Sequence, residues 1–199
     1  MESLIVSYGF DFNTFSSSLA DANGIIAGSS VVRVLFDSYV KDGCVTDFEE
    51  NDIDIFISTI NSNKPNIDSF TSFLKDAGWI FNQDLSIDSN SNKLKYMPSD
   101  KVESVSTYIL NNKKIQVVSV TMDVFEFIKT ETDISITTSH WIPSTNSIEY
   151  NYNRDSLSFY IDNQYVNILK ENDTEFYKRL NKRINKYIIR GFTMIDKPI

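Results

Sequence analysis

Two aspartates alternate with isoleucines in a short apolar segment of the chain. Residues 52 to 57 read Asp-Ile-Asp-Ile-Phe-Ile, and residues two apart on a β-strand point to the same face. A strand here directs the carboxylates of Asp52 and Asp54 to one side and the isoleucines to the other. Two carboxylates at one spot repel each other unless a cation lies between them, and Mg²⁺ prefers oxygen ligands. The spacing predicts a divalent-metal site, although an ordinary amphipathic edge strand shows the same alternation.

A glycine and two serines precede this segment. Gly28, Ser29 and Ser30 follow a brief apolar run over 24–27, which predicts a buried strand, then a turn, then a helix. Backbone N–H groups at the start of a helix, together with two hydroxyls, form a phosphate-sized site. Gly28 has no Cβ to keep a ligand away. Alternatively, Ser29 or Ser30 serves only as the helix N-cap, and Arg33, one turn later, either reaches a phosphate or is a solvated helix residue.

Composition and charge exclude several classes of protein. The sequence has one cysteine, Cys44, and one histidine, so it holds no internal disulfide and fits a reducing compartment. A structural zinc site is not expected from so few ligands. No run approaches the roughly eighteen apolar residues of a membrane span, and the first residues lack the pattern of a secretory signal. These features predict an intracellular protein without membrane contact.

The positive charge is concentrated near the C-terminus. Residues 178 to 190 contain six basic residues and no acid, whereas the whole chain has a formal charge of −8. Apolar residues recur there at helical spacing, and Asn-Asp-Thr-Glu over 172–175 is typical of a capping box. We expect a basic amphipathic helix over 174–190, ended by Gly191. It either binds a polyanion or docks on the body of the protein and offsets its acidity.

The remaining pattern is that of an α+β protein, because short helical segments are mixed with β-rich ones. The predicted elements are helices over 12–22, 29–40, 66–78 and 123–129, and strands over 24–27, 52–58, 104–110, 114–120, 133–138, 147–153 and 157–168.

The order of these motifs resembles the nucleotidyltransferase superfamily of DNA polymerase β, poly(A) polymerases and CCA-adding enzymes. The resemblance covers residues 24 to 140, and residues 132–136, Thr-Asp-Ile-Ser-Ile, match the family's later strand with a third carboxylate, Asp133. Residues 183–192 resemble the endings of small nucleotidyltransferase-like proteins of large DNA viruses. Too little chain follows residue 140 for the helical nucleotide-binding domain of the larger polymerases. The resemblance implies a single domain over 1–199, with C-terminal strands and the basic helix over 141–199.

The resemblance also implies a fold and a mechanism. The fold is a mixed β-sheet flanked by helices. The protein is expected in the cytoplasm, in a viral factory or in a virion. Asp52, Asp54 and Asp133 would hold two Mg²⁺ or Mn²⁺ ions, while Gly28 and Ser29 would hold the triphosphate of an NTP. The NMP would pass to a hydroxyl of an RNA end, a protein or a small molecule, with release of pyrophosphate. The alternative is a nucleotidyltransferase fold without catalysis that serves as a binding or structural protein.

Overall fold

The computed structural model describes residues 1–37, 43, 52–60, 64–87, 100–150, 157–162 and 175–197. Within these ranges the chain is α+β, as the sequence predicts. The α-helices are α1 (Glu2–Ser7), α2 (Phe12–Asp21), α3 (Ser29–Leu35), α4 (Lys64–Asp76), α5 (Val124–Thr130) and α6 (Glu175–Ile189), with a 3-10 helix at Ser135–Thr138. The strands are β1 (Gly24–Ala27), β2 (Asp52–Ser58), β3 (Ile80–Phe81), β4 (Val102–Leu110), β5 (Lys113–Val120), β6 (His140–Ile142), β7 (Ser147–Glu149), β8 (Ser158–Phe159) and β9 (Thr193–Met194).

Seven of the strands form one mixed sheet in the order β3-β4-β5-β2-β1-β6-β7. Strands β2 and β5 pair in parallel, and the other neighbours in this sheet run antiparallel. The hairpin between β4 and β5 turns at Asn111 and Asn112, both with positive φ, a conformation that asparagine tolerates better than most residues. Strands β8 and β9 form a separate parallel pair.

One face of the sheet carries the largest hydrophobic core. Ile53, Ile55 and Ile57 of β2 have no exposed surface, and they pack in one cluster with side chains of α1, α2 and α4. Burying an isoleucine side chain contributes roughly 1.5–3 kcal/mol, so the three together strongly favour this orientation of β2. The alternation of the strand then directs Asp52 and Asp54 to the opposite face.

Two separate groups of elements lie over the opposite face of the sheet. Helix α5 packs on one part of the sheet, where the rings of Phe56 and Phe127 lie 5.6 Å apart. A second cluster joins α3, the 3-10 helix, β8 and α6 through buried side chains such as Val32, Ile136 and Ile184. Helix α6 is thereby docked on the body of the protein by its apolar side, beside the end of β2 that carries the aspartates.

Most elements agree with the sequence predictions, but the predicted strand over 133–138 is wrong. This segment forms a 3-10 helix because its hydroxyls bond backward along the chain. The hydroxyls of Thr137, Thr138 and Ser139 donate to the carbonyls of the residues three positions earlier, at 2.7, 2.7 and 2.8 Å. Side chains of this kind offer the backbone an alternative to a sheet ladder.

One further prediction, the length of a helix, is corrected. Others fall on residues outside the described ranges. Helix α3 ends at Leu35 with Phe36 as its C-cap, shorter than the predicted 29–40. Residues 172–174 of the capping box predicted over 172–175, and parts of the last two predicted strands, lie outside the described residues. In the portions that the structure covers, no helix is both long and apolar enough to cross a bilayer.

Candidate functional site

A cavity of about 390 Å³ lies between the open part of the sheet and helix α6. It contains four of the predicted site residues: Gly28, Ser29, Asp52 and Asp54. The sheet and the 3-10 helix contribute Phe56, Val102, Val105, Gln116, Val118 and Thr137, and α6 contributes Arg183, Lys186 and Tyr187.

The floor of the cavity is acidic. Asp52 and Asp54 share one face of β2, and the neighbouring strands place Ala27 of β1 and Gln116 of β5 directly beside Asp54. Gln116 is the polar residue of a strand segment whose neighbours Ile115 and Val117 are buried on the other face. Asp54 and Gln116 therefore lie side by side on adjacent strands, and Asp52 lies two residues away on the same face of β2.

Asp52 has a cationic neighbour that sequence reasoning missed. Lys114 pairs with Asp52 across the parallel strands, and its Nζ lies 3.1 Å from Asp52 Oδ2. The two side chains are 33% and 37% exposed, so solvent screens the pair and it contributes little to stability. Lys114 and Gln116 are polar residues at alternate positions of an apolar run, and this alternation is the signal that the sequence contains. The sequence does not show which strand pairs with this one, so the contact with Asp52 could not be predicted.

Gly28 forms the rim of the cavity next to Asp54. Its φ is +86°, and a Cβ at this position would lie 3.4 Å from Asp54 Oδ2. The backbone N–H of Gly28 donates to the carbonyl of Ser139 at 3.2 Å. Gly28, rather than a serine, is the N-cap of α3, so the N-cap interpretation of Ser29 and Ser30 is wrong.

Ser30 and Arg33 are not among the residues that line the cavity. Ser30 is buried within α3, and its hydroxyl has no hydrogen-bond partner in the part of the chain that the structure describes. Arg33 forms an ion pair with Asp37 at 2.7 Å, one turn along the chain. The geometry of Arg33 thus agrees with a partly exposed helix residue rather than with a group directed into the cavity.

The basic helix supplies the wall of the cavity opposite the aspartates. Lys186 Nζ donates to Ser29 Oγ at 3.1 Å, and Arg183 and Tyr187 line the same wall. The sequence left two alternatives for this helix, namely docking on the body of the protein and binding of a polyanion. In the structure, Leu180 and Ile184 anchor the helix while part of its charged side faces the cavity.

Asp133 lies apart from the other two predicted ligands. It is 3% exposed, and its Oδ2 accepts from Arg183 Nη1 at 2.7 Å. It does not line the cavity. Within the described ranges, no group of three His, Cys, Asp or Glu side chains lies close enough to hold a metal ion. The structure therefore brings Asp52 and Asp54 together but does not bring Asp133 to them.

The arrangement suits a ligand that carries both signs of charge. Two carboxylates on the floor can bind a hard cation, and two cationic side chains on the opposite wall can bind phosphate oxygens. A metal-bound triphosphate has both kinds of group. No protein-family model matches the chain, and a search of the curated proteins finds no match. The chemistry of the cavity is thus the basis for inferring function.

Replacing Gly28 by alanine is expected to impair the cavity beyond its effect on stability. Gly28 has φ +86° and ψ −153°, a combination that is essentially restricted to glycine and strains any L-residue, and the added methyl group would stand beside the Asp54 carboxylate. Gly9→Ala is the matched control, because Gly9 has φ +87° and nothing within 4 Å of the added Cβ. Urea unfolding measures the stability loss of each variant, and under conditions where both are folded, Mn²⁺-dependent ATP binding should weaken only in Gly28→Ala. Equal binding by both variants would contradict a ligand at this rim.

Asp133→Asn is expected to act mainly on stability. The change removes the ion pair with Arg183 from a buried carboxylate, and losing a partner of this kind costs about 1–3 kcal/mol in the free energy of unfolding. Urea unfolding measures this loss, with the exposed Asp76→Asn as the control. Mn²⁺ affinity should fall far less than in Asp54→Asn. A variant of normal stability that binds no Mn²⁺ would instead make Asp133 a metal ligand.

Proposed function

We propose that this chain is a metal-dependent nucleotidyltransferase that moves an NMP from an NTP to a hydroxyl acceptor and releases pyrophosphate. The observation that carries the proposal is the pairing of Asp52 and Asp54 on the cavity floor, directly below Gly28. The path from β1 through Gly28 and Ser29 into α3, and then to β2 beside β1, supports the likeness to the nucleotidyltransferase superfamily.

Asp52 and Asp54 are the proposed ligands of Mg²⁺ or Mn²⁺. Their carboxylates and the amide oxygen of Gln116 are hard donors of the kind these ions prefer, and all three side chains line one cavity. When bound, such an ion supplies Lewis-acid stabilisation of phosphoryl oxygens. The aspartates themselves keep the ion at the floor, where the approaching phosphate meets it.

The opposite wall is the proposed site of the triphosphate. Lys186 already donates to Ser29 Oγ, so its ammonium lies at the rim where phosphate oxygens would accept hydrogen bonds. Arg183 lines the same wall, and its guanidinium, which donates to Asp133 through Nη1, carries further N–H groups that can donate to phosphate oxygens. Gly28 lets the phosphate chain pass close to the backbone. In this arrangement the acceptor hydroxyl attacks the α-phosphorus and passes its proton to solvent, while the bond from the α-phosphorus to the bridging oxygen breaks and pyrophosphate leaves. No side chain of the protein forms a covalent intermediate.

The outer side of α6 is the proposed contact for a polyanionic acceptor, such as an RNA end. A second groove, of about 530 Å³, runs along it and shares Lys186 with the cavity. Lys178, Lys182 and Lys186 follow at intervals of four residues, so they lie along one side of the helix. Tyr177 and two asparagines line the same groove. Cations beside an aromatic ring and amide groups are suited to single-stranded nucleic acid.

A second candidate is a nucleotide-binding protein of the same fold without catalysis. Two observations favour it: Asp133 is engaged by Arg183, and the residue beside Asp54 on β5 is the neutral Gln116. Within the described residues, the cavity floor offers two carboxylates, those of Asp52 and Asp54. In this case the cavity would bind an NTP and its metal without turnover.

Asp54→Asn is expected to lower nucleotidyl transfer more than 100-fold, because removing one carboxylate charge weakens the metal site. The assay incubates each α-labelled NTP with the protein, Mg²⁺ or Mn²⁺, and RNA or cell extract, beside the control Asp76→Asn. Label transferred by the wild type and the control, but not by Asp54→Asn, supports the transferase. Metal-dependent NTP binding without transfer favours the second candidate. Transfer retained in Asp54→Asn would refute the assignment, and absence of binding would refute both.

Lys178→Ala/Lys182→Ala is expected to weaken binding of single-stranded RNA and to reduce its salt dependence. Each lost phosphate contact lowers the slope of log K against log salt by about 0.7 for single strands, or about 1.4 for both lysines. Fluorescence anisotropy with a labelled oligonucleotide measures both quantities. Lys75→Ala/Lys129→Ala removes two exposed lysines from other helices and serves as the charge-matched control. An unchanged slope in the first variant would contradict contact through this groove.

A further inference from the structure

The cavity has an apolar end in which the proposed metal and phosphate contacts take no part. It is lined by Phe56 of β2, Val118 of β5, and Val102 and Val105 of β4. Phe56 follows Asp54 by two positions, so it lies on the same face of β2, about 7 Å farther along the strand. The register places Val118 beside Phe56, and Val105 beside Val118. The apolar side chains therefore form a continuous floor across three adjacent strands, next to the carboxylates.

A β-bulge in β4 adds the second valine of that strand to the apolar end. Counting back from the pair Val105 and Val118, a regular ladder would place Glu103 beside Val120. The register instead shifts between Val102 and Ser104, and Val102 is the partner of Val120. Val102 and Val105 thus both line the cavity although they are three positions apart, and bulges are known to redirect side chains in this way next to functional sites. The irregularity puts a valine where alternation would have put a glutamate.

The combination of an acidic pair and an apolar floor suits a ligand with one charged part and one flat apolar part. In an NTP, only the ribose separates the α-phosphate from the base, so a triphosphate held near Asp54 brings its base to the neighbouring surface. Valine methyl groups and a phenylalanine ring offer contacts to the π-face of a base, and every base has such a face.

We propose that the apolar end binds the nucleobase of the NTP by its flat face. The proposal rests on the function proposed above and deepens it, since it assigns the base of the substrate to Phe56, Val118, Val102 and Val105. A contact of this kind stabilises all four bases. Purines, which have the larger face, gain more from it than pyrimidines because more apolar area is buried.

Calorimetric titration of the full chain with ATP and with ribose 5-triphosphate, each with Mn²⁺, tests this proposal without any measure of activity. Ribose 5-triphosphate keeps the sugar and the three phosphates of ATP and lacks only the base. We expect ATP to bind at least about tenfold more tightly, the range that stacking of one base contributes. Equal affinities would overturn the inference and leave the metal-dependent triphosphate site intact. If neither compound binds, both the inference and the proposed function are wrong.

Val118→Thr tests the location of the base. It keeps the shape of the side chain but places a hydroxyl in the apolar end, and it should weaken ATP binding by about three- to tenfold without changing the affinity for ribose 5-triphosphate. Val120→Thr is the matched control, because Val120 lies on the same strand and in the same hydrophobic cluster but does not line the cavity. Both variants are measured where urea unfolding shows them to be folded. The same ratio of the two affinities in both variants would contradict the proposal.

Saturation-transfer NMR of the wild type with ATP and Mg²⁺ gives a readout that needs no variant. Irradiation of the protein methyl groups should transfer more signal to the protons of the adenine ring than to those of the ribose, since valines line the apolar end. Stronger transfer to the ribose than to the base would overturn the inference.

Discussion

The period-two alternation of β2 is the constraint on which the rest of the site depends. Its three isoleucines fill the core under α1, α2 and α4, so Asp52 and Asp54 have no other face to occupy. A shift of one residue in the register would bury two carboxylates and expose the isoleucines, and an unpaired buried charge costs several kcal/mol. The acidity of the cavity floor is thus a by-product of packing on the far side of the sheet. No local turn or loop has to hold the carboxylates in position.

Opposite charges on the two sides of the cavity follow from the uneven charge of the sequence. The segment 178–190 carries +6 while the whole chain carries −8, so the rest carries −14. Helix α6 docks through its apolar side, and this leaves its cations to divide between the cavity and the outer groove. Arg183 does both, since it lines the cavity and also forms an ion pair with the buried Asp133. Helix α6 therefore docks on the protein through one side and forms the wall of the cavity with another.

The elements and the aspartate pair could be predicted because they depend on local periodicity. Alternation predicts β2, helical spacing predicts α6, and Gly28 follows from the turn between β1 and α3. The 3-10 helix after Asp133 could not be predicted in this way, because its threonines also favour strands and only their hydroxyl bonds distinguish the two. Lys114 and Gln116 escaped notice for another reason. Their neighbours depend on which strand pairs with β5 and in which register, and no local pattern in a sequence specifies a parallel pairing across an intervening helix and hairpin strand.

The bond between Lys186 and Ser29 joins residues 157 positions apart. A ligand held between these side chains would therefore connect the C-terminal helix to the start of α3. By linkage, whatever free energy the ligand gains from Lys186 is added to the docking of α6 and is lost whenever that helix detaches. Detachment of α6 and release of the ligand from the cavity would then occur together. The residence time of a bound molecule would then be set by the opening rate of one helix, and not by the breadth of the cavity's mouth.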